Sequence, residues 1–86
     1  MDIKQLIEIV KKKIQSQILI DDIKVEDKSF LHKNHPGNQK GKYHLKIYLK
    51  SDELKNMSRI ESNKIIYKIL DDEMKKFIHS LQILIS

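Results

Sequence analysis

Residues 43–50 read YHLKIYLK: Tyr43, Leu45, Ile47 and Leu49 alternate strictly with His44, Lys46, Tyr48 and Lys50. A period of two places each set on its own face of an extended chain, so this is a β-strand with an apolar face toward a core and a polar face toward water. Upstream, the segment Ile20 to Asp27 shifts to the same period, Ile23 and Val25 alternating with Lys24 and Glu26, which predicts a second, shorter strand. Between them lies KSFLHKNHPGNQKGK, residues 28–42, with the only Pro, both Gly and two of the four His. Loops of about 12–15 residues are uncommon in small domains unless they serve a site or move, so this one is a candidate functional segment.

Downstream, SDELKN (residues 51–56) predicts a single helical turn. Ser58 and Glu61 then have the spacing of a capping box, opening a second long helix expected to bury Ile60, Tyr67, Leu70, Met74 and Phe77, with Ile66 and Ile69 widening the stripe. After His79, Leu81, Ile83 and Ile85 alternate with Ser80, Gln82 and Leu84, giving a third strand. At the other end Ile3, Leu6, Ile7, Val10 and Ile14 recur at helical spacing, with Lys4, Lys11, Lys12 and Lys13 off the stripe and Asp2 placed to cap it. The order is α, β, β, short turn, α, β. The first two strands should pair as an antiparallel hairpin, and the strand, helix, strand unit should cross to a parallel neighbour. The simplest solution is an α+β fold with a mixed three-stranded sheet, the second strand central and both helices on one face.

Eighty-six residues suit one domain, read here as residues 1–86, with a thin core that leaves little room for a deep substrate pocket. Function is expected on a face or a loop. The absence of cysteine excludes disulfides, zinc knuckles, thiol nucleophiles and any iron–sulfur cluster held by this chain's own thiolates. No stretch approaches a membrane span and the first residues do not resemble a signal peptide, so the expected compartment is the cytoplasm. The net charge of +5 is a weak pointer to nucleic acid. Sixteen of the seventeen basic residues are Lys, Ile occurs fifteen times and Ala never, as a genome poor in G and C dictates; bidentate phosphate and base contacts are mainly arginine work, and Arg59 stands alone.

No catalytic machinery is visible: there is no Walker loop, dinucleotide fingerprint, H-E-x-x-H or nucleophile elbow, and the protein is expected not to be an enzyme. The carboxylate runs Asp21-Asp22 and Asp71-Asp72-Glu73 are adjacent in sequence, point in different directions and read as solvated surface. Gly37 and Gly41 enclose three residues, a G-x-x-x-G spacing rather than the G-x-x-G of a KH clamp. Of the histidines, His44 is expected to face solvent from the polar side of its strand. His32 and His35 are either hydrophilic loop residues or ligands for a partner's metal. His79, at the junction of helix and strand, is either a cation-tolerant residue near a helix C-terminus or a site residue.

DKSFLHKNHPG, YHLKIYLKSDELKN and IIYKILDDEMKKFIHSLQI, taken in order, resemble BolA-like proteins over about Ile3 to Ile85. Asp27 and Ser29 match the family's D-E-S segment, His44 with Leu45 its H-F strand start, and Ser51 its strand end. Ile66 with Tyr67 and Asp72 with Glu73 match its helix, and Ile78, His79 and Leu81 match its V/I-H-A-L motif. The resemblance implies a KH-like sandwich of class II topology without the G-x-x-G clamp. It also implies an adaptor that is a monomer alone, binds a monothiol glutaredoxin as a heterodimer and shares a bridging [2Fe–2S] cluster with the glutaredoxin cysteine and glutathione, in iron–sulfur cluster assembly and iron homeostasis. His79 would supply one ligand and a loop histidine the other. Counting back from His44 selects His35, counting forward from Ser29 selects His32, and His35 is favoured. Two imidazoles can replace two thiolates on one iron, as in Rieske-type centres. Imidazole binds metal only when deprotonated, so such a complex should shed its cluster on acidification. Some family members are described as DNA-binding transcriptional regulators; for that alternative the candidate contacts are Lys40, Lys42, Lys46, Lys50 and Lys64. One departure stands out: the family's R-H-R in the long helix is Ser62-Asn63-Lys64 here.

Overall fold

The computed structural model describes residues 2–29 and 42–86. Helix α1, Ile3–Gln17, begins where Asp2 is extended and its carboxylate accepts from the Gln5 N–H at 2.8 Å, while the Gln5 side chain accepts from the Asp2 N–H at 3.4 Å. That reciprocal cap satisfies donors the first helical turn leaves open. Its stripe of Leu6, Val10 and Ile14 is fully buried.

Strand β1, Asp22–Asp27, runs antiparallel to β2, Tyr43–Lys50, with Val25 opposite Ile47. Strand β3, Ile78–Ile85, runs parallel to β2, with Leu45 beside Leu81 and Ile47 beside Ile83. The order β1-β2-β3 makes β2 central, as its alternation requires: Leu45, Ile47 and Leu49 are all buried. Between β2 and β3 come the four-residue turn α2 (Asp52–Lys55), capped by Ser51, then α3 (Arg59–Ile69), capped by Ser58, and α4 (Asp71–Lys76). The core joins Leu6, Val10 and Ile14 of α1 to Ile66 of α3, Leu70, and the inner positions of β2 and β3. Each fully buried Leu or Ile adds about 1.5–3 kcal/mol relative to exposure. No described helix is long and apolar enough to cross a membrane.

The expected second long helix is broken. Leu70, at φ −98° and ψ 19°, ends α3 and precedes α4, yet its N–H still donates to Ile66 and its carbonyl still accepts from Met74. The break is a bend that keeps hydrogen bonding across it. The inward side also differs from the one expected: Ile60 is 71% exposed and Tyr67 39%, whereas Ser62, Ile66, Leu70 and Glu73 are buried. Glu73 departs from its reading as solvated surface. Its carboxylate grips Lys13 Nζ through both oxygens at 2.7 and 2.9 Å, fastening α4 to α1 across the layer. The Lys13 side chain stays 36% exposed, so the pair is half in solvent and less strongly coupled than a dry one.

Candidate functional site

The start of β3 departs from strict alternation. Tyr43 pairs with Ile78 but His44 pairs with Ser80, so His79 is an extra residue in β3, a β-bulge. Bulges re-aim side chains and recur beside functional sites. Projecting the alternation of Leu81, Ile83 and Ile85 backwards would turn His79 inward and Ile78 outward. The bulge reverses both: Ile78 and Leu81 are buried, and His79 and Ser80 between them are exposed. His79 is therefore the second residue of a strand, presented to solvent, and not a residue of the helix end.

His44 is not the solvent-facing residue expected. It is only 5% exposed, and its ring meets that of His79 edge to face, with centroids 4.9 Å apart and planes at 62°. His44 Nδ1 and Ser80 Oγ share a 2.6 Å hydrogen bond whose direction the tautomer sets. The motif preceding the loop explains how His44 is held. Asp27 Oδ1 accepts from the Ser29 N–H at 2.9 Å, and Ser29 Oγ in turn accepts from the His44 N–H at 3.1 Å, beside the 2.7 Å bond from Lys28 N–H to the His44 carbonyl. Residues from the end of β1, the start of β2 and the bulge of β3 thus converge on one imidazole pair. Sequence reasoning missed His44 as a partner of His79; the signal was the apolar spacing of Ile78 and Leu81, three apart where a regular strand requires two or four.

His32, His35 and Lys40 lie outside the described residues. Among the described residues no group of three or more His, Cys, Asp or Glu converges as a metal site. The chain has no cysteine and so no thiolate to offer a cluster, and the donors gathered at this place are the imidazoles of His44 and His79. His79 makes no hydrogen bond through its ring among the described residues and is exposed.

The candidate basic residues divide between two layers. Lys46 and Lys50 project from the sheet face opposite the helices, Lys42 precedes β2, and Lys64 is exposed on α3. On the sheet face Lys46 and Lys24 sit over the Tyr48 ring, at 5.1 and 5.7 Å from its centroid. Glu26 lies 3.7 Å from Lys28 and 3.9 Å from Lys24; a hydrogen bond from Tyr48, aided by Lys28, Lys24 and Lys46, holds its carboxyl below the ordinary value despite partial burial. On that face Glu26 offsets part of the positive charge of Lys24, Lys28 and Lys46. Where the resemblance leads one to expect R-H-R, Ser62 is buried with Oγ donating to the Arg59 carbonyl, and only Lys64 is charged.

Comparison with known proteins agrees with this architecture. The family model for BolA-like proteins matches residues 14–86. The chain is 31% identical over 81 residues to the DNA-binding transcriptional regulator BolA of Haemophilus influenzae, covering 94% of this chain and 73% of that protein. It is 27% identical over 79 residues to SufE-like protein 1, chloroplastic/mitochondrial, of Arabidopsis thaliana, covering 86% of this chain but 21% of that one. Among solved structures, the BolA domain of SufE1 from Arabidopsis thaliana superposes with a TM-score of 0.78 at 24% identity, covering all of this chain and 93% of that one. BolA1 from the same plant gives 0.72 at 21%, covering 90% and 85%. The match of the family model over most of the chain, together with these likenesses, establishes that this chain belongs to the BolA-like protein family.

Proposed function

We propose that this chain is a non-enzymatic cytoplasmic adaptor that binds a monothiol glutaredoxin and shares a bridging [2Fe–2S] cluster with it, contributing to iron–sulfur cluster assembly and trafficking. In this reading His79 ligates one iron together with His35, or His32 as the alternative, while the glutaredoxin cysteine and a glutathione thiolate hold the other. The observation that carries the reading is the bulge at His79, which presents an imidazole without a ring hydrogen bond among the described residues and backs it with the buried ring of His44. A ligand that must meet a partner's cluster has to be exposed yet fixed in direction, and a bulge on a paired strand supplies both.

The test is to mix the protein with a cluster-loaded monothiol glutaredoxin and follow visible absorption and circular dichroism. The expected result is a new spectrum that His79→Ala abolishes and that His35→Ala weakens more than His32→Ala. A spectrum unchanged by His79→Ala would sink the ligand assignment even if the two proteins still bind.

A second reading, a DNA-binding regulator, draws on the name of the Haemophilus influenzae relative and on Lys40, Lys42, Lys46, Lys50 and Lys64. It calls for a salt slope reflecting several phosphate contacts and a preference for some sequence over bulk DNA. Weak, sequence-blind binding lost at physiological salt would reduce it to the general basicity of the chain.

A further inference from the structure

Among the described residues strand β3 pairs with β2 alone. Backbone groups alternate sides along a strand, and Ser86, just beyond β3, donates to Leu49 at 2.9 Å and accepts from Ser51 at 3.2 Å. Ser80, Gln82 and Leu84 therefore turn toward β2, and Leu81, Ile83 and Ile85 turn outward. On the outer side Tyr67 Oη donates to the Leu81 carbonyl at 2.9 Å, closing the edge at that point. Among the described residues nothing bonds the outward groups of Ile83 or Ile85.

Natural edge strands usually carry charges or proline that discourage pairing. Strand β3 reads IHSLQILI and holds no Lys, Arg, Asp, Glu or Pro. Beside it, toward the start of α3, runs a groove of about 510 Å³ with Leu54 and Met57 in its wall. Lys55 and Arg59 line this groove and no carboxylate does. Asn63, also in the wall, buries its Oδ1 with no hydrogen-bond donor among the described residues.

We propose that this edge takes up an extended, acidic peptide segment of a partner protein as a fourth strand. A strand offers alternating carbonyls and N–H groups at the spacing of Ile83 and Ile85. Its apolar side chains reach Leu54 and Met57, its carboxylates answer Lys55 and Arg59, and it brings an N–H within reach of Asn63. A nucleic acid lacks that backbone period, and two cations give it few phosphate contacts. A second copy of this chain, paired edge to edge about a two-fold axis, would bring like-charged grooves together. The proposal does not involve His79, so its failure leaves the cluster reading untouched.

The probe is a synthetic hexapeptide of alternating Val and Glu, titrated into the ¹⁵N-labelled chain and compared with a Val/Lys peptide and single-stranded oligo-dT. The expected result is a shift and at least about tenfold slower hydrogen exchange at the Ile83 and Ile85 amides with the Glu peptide alone. Arg59→Glu and Asn63→Ala should each weaken binding by about tenfold or less, equivalent to up to ~1.4 kcal/mol. Ile83→Pro, which deletes an N–H the sheet does not use, should abolish it. Should Ile83→Pro fail to fold, Arg59→Glu at an exposed position reads the same contact. Four outcomes overturn the proposal: equal binding of the Val/Lys peptide, oligo-dT at this edge in place of the Glu peptide, concentration-dependent protection of Ile83 without peptide, or Glu-peptide binding undiminished by Arg59→Glu.

Discussion

Strands β1 and β3 both flank β2, yet four of the six residues of β1 are charged (Asp22, Lys24, Glu26 and Asp27), while β3 carries no formal charge over eight. On β1, Glu26 is tied to Tyr48 and flanked by Lys24 and Lys28, and the turn after it anchors the backbone of His44. On β3, among the described residues, the outer backbone beyond Leu81 is unpaired, and the irregular start turns His79 to solvent. The charged edge thus ties its side chains to one another and to the sheet, and the uncharged edge leaves an imidazole exposed. The same sheet supports both because β2 binds each of them with its own set of alternating backbone groups.

The contrast breaks first, and most visibly, in stability. Ile78 anchors the bulged start of β3 in the core, so Ile78→Ala should cost about 2–4 kcal/mol in urea unfolding. Val25→Ala on half-buried β1 should cost about 1 kcal/mol. Equal losses would mean that the two edges are held alike and that the bulge is not a special anchor.

Next comes the clamp on α4, the helix that delivers β3. Lys13→Ala leaves Glu73 buried and unpaired; because Lys13 is partly in solvent, about 1–2 kcal/mol is expected. The hydrogen bond to Glu73 raises Lys13 above its usual 10.5, against the opposing effect of burial. A raised folded value means the stabilisation is fully present below ~10.5 and is lost as pH rises through the folded value. Urea midpoints on the alkaline side should therefore fall less steeply in Lys13→Ala than in the parent.

Smaller still is the brace of the imidazole pair. Ser80→Ala removes the 2.6 Å partner of His44 Nδ1 and should cost about 1 kcal/mol, with an NMR shift of the His79 ring protons that reports its loss of orientation. An unmoved His79 signal would show that the ring contact does not transmit position. The smallest effect belongs to β1. Glu26 has a lowered carboxyl value, so its contribution is present above the usual range near 4.5 and drains away on acidification; Glu26→Gln should flatten only that acid limb.

Strand β2 was legible to the residue, because strict alternation over YHLKIYLK admits one reading, and α1 was legible from Asp2 and its stripe. The sheet order followed from connection lengths alone. The bend at Leu70 was not legible, since no Pro or Gly marks it and Ile66, Leu70 and Met74 keep helical spacing through it. Glu73 looked solvated because its partner, Lys13, lies sixty residues away in sequence. The burial of His44 depends on a two-against-one register with β3, which no local pattern in β2 encodes. His79 was singled out from resemblance and from its odd setting; its exposure and its ring partner required the sheet.

Whether His79 gives its imidazole to a shared cluster can be read by pulsed EPR of the reduced mixed complex with the chain labelled in ¹⁵N-histidine. Reduction leaves an unpaired electron on the cluster, and a directly bound imidazole nitrogen couples to it far more strongly than one merely nearby. Strong ¹⁵N couplings from two imidazoles are expected, one of which disappears in His79→Ala. Absence of strong nitrogen coupling, or a spectrum identical in His79→Ala, would contradict it.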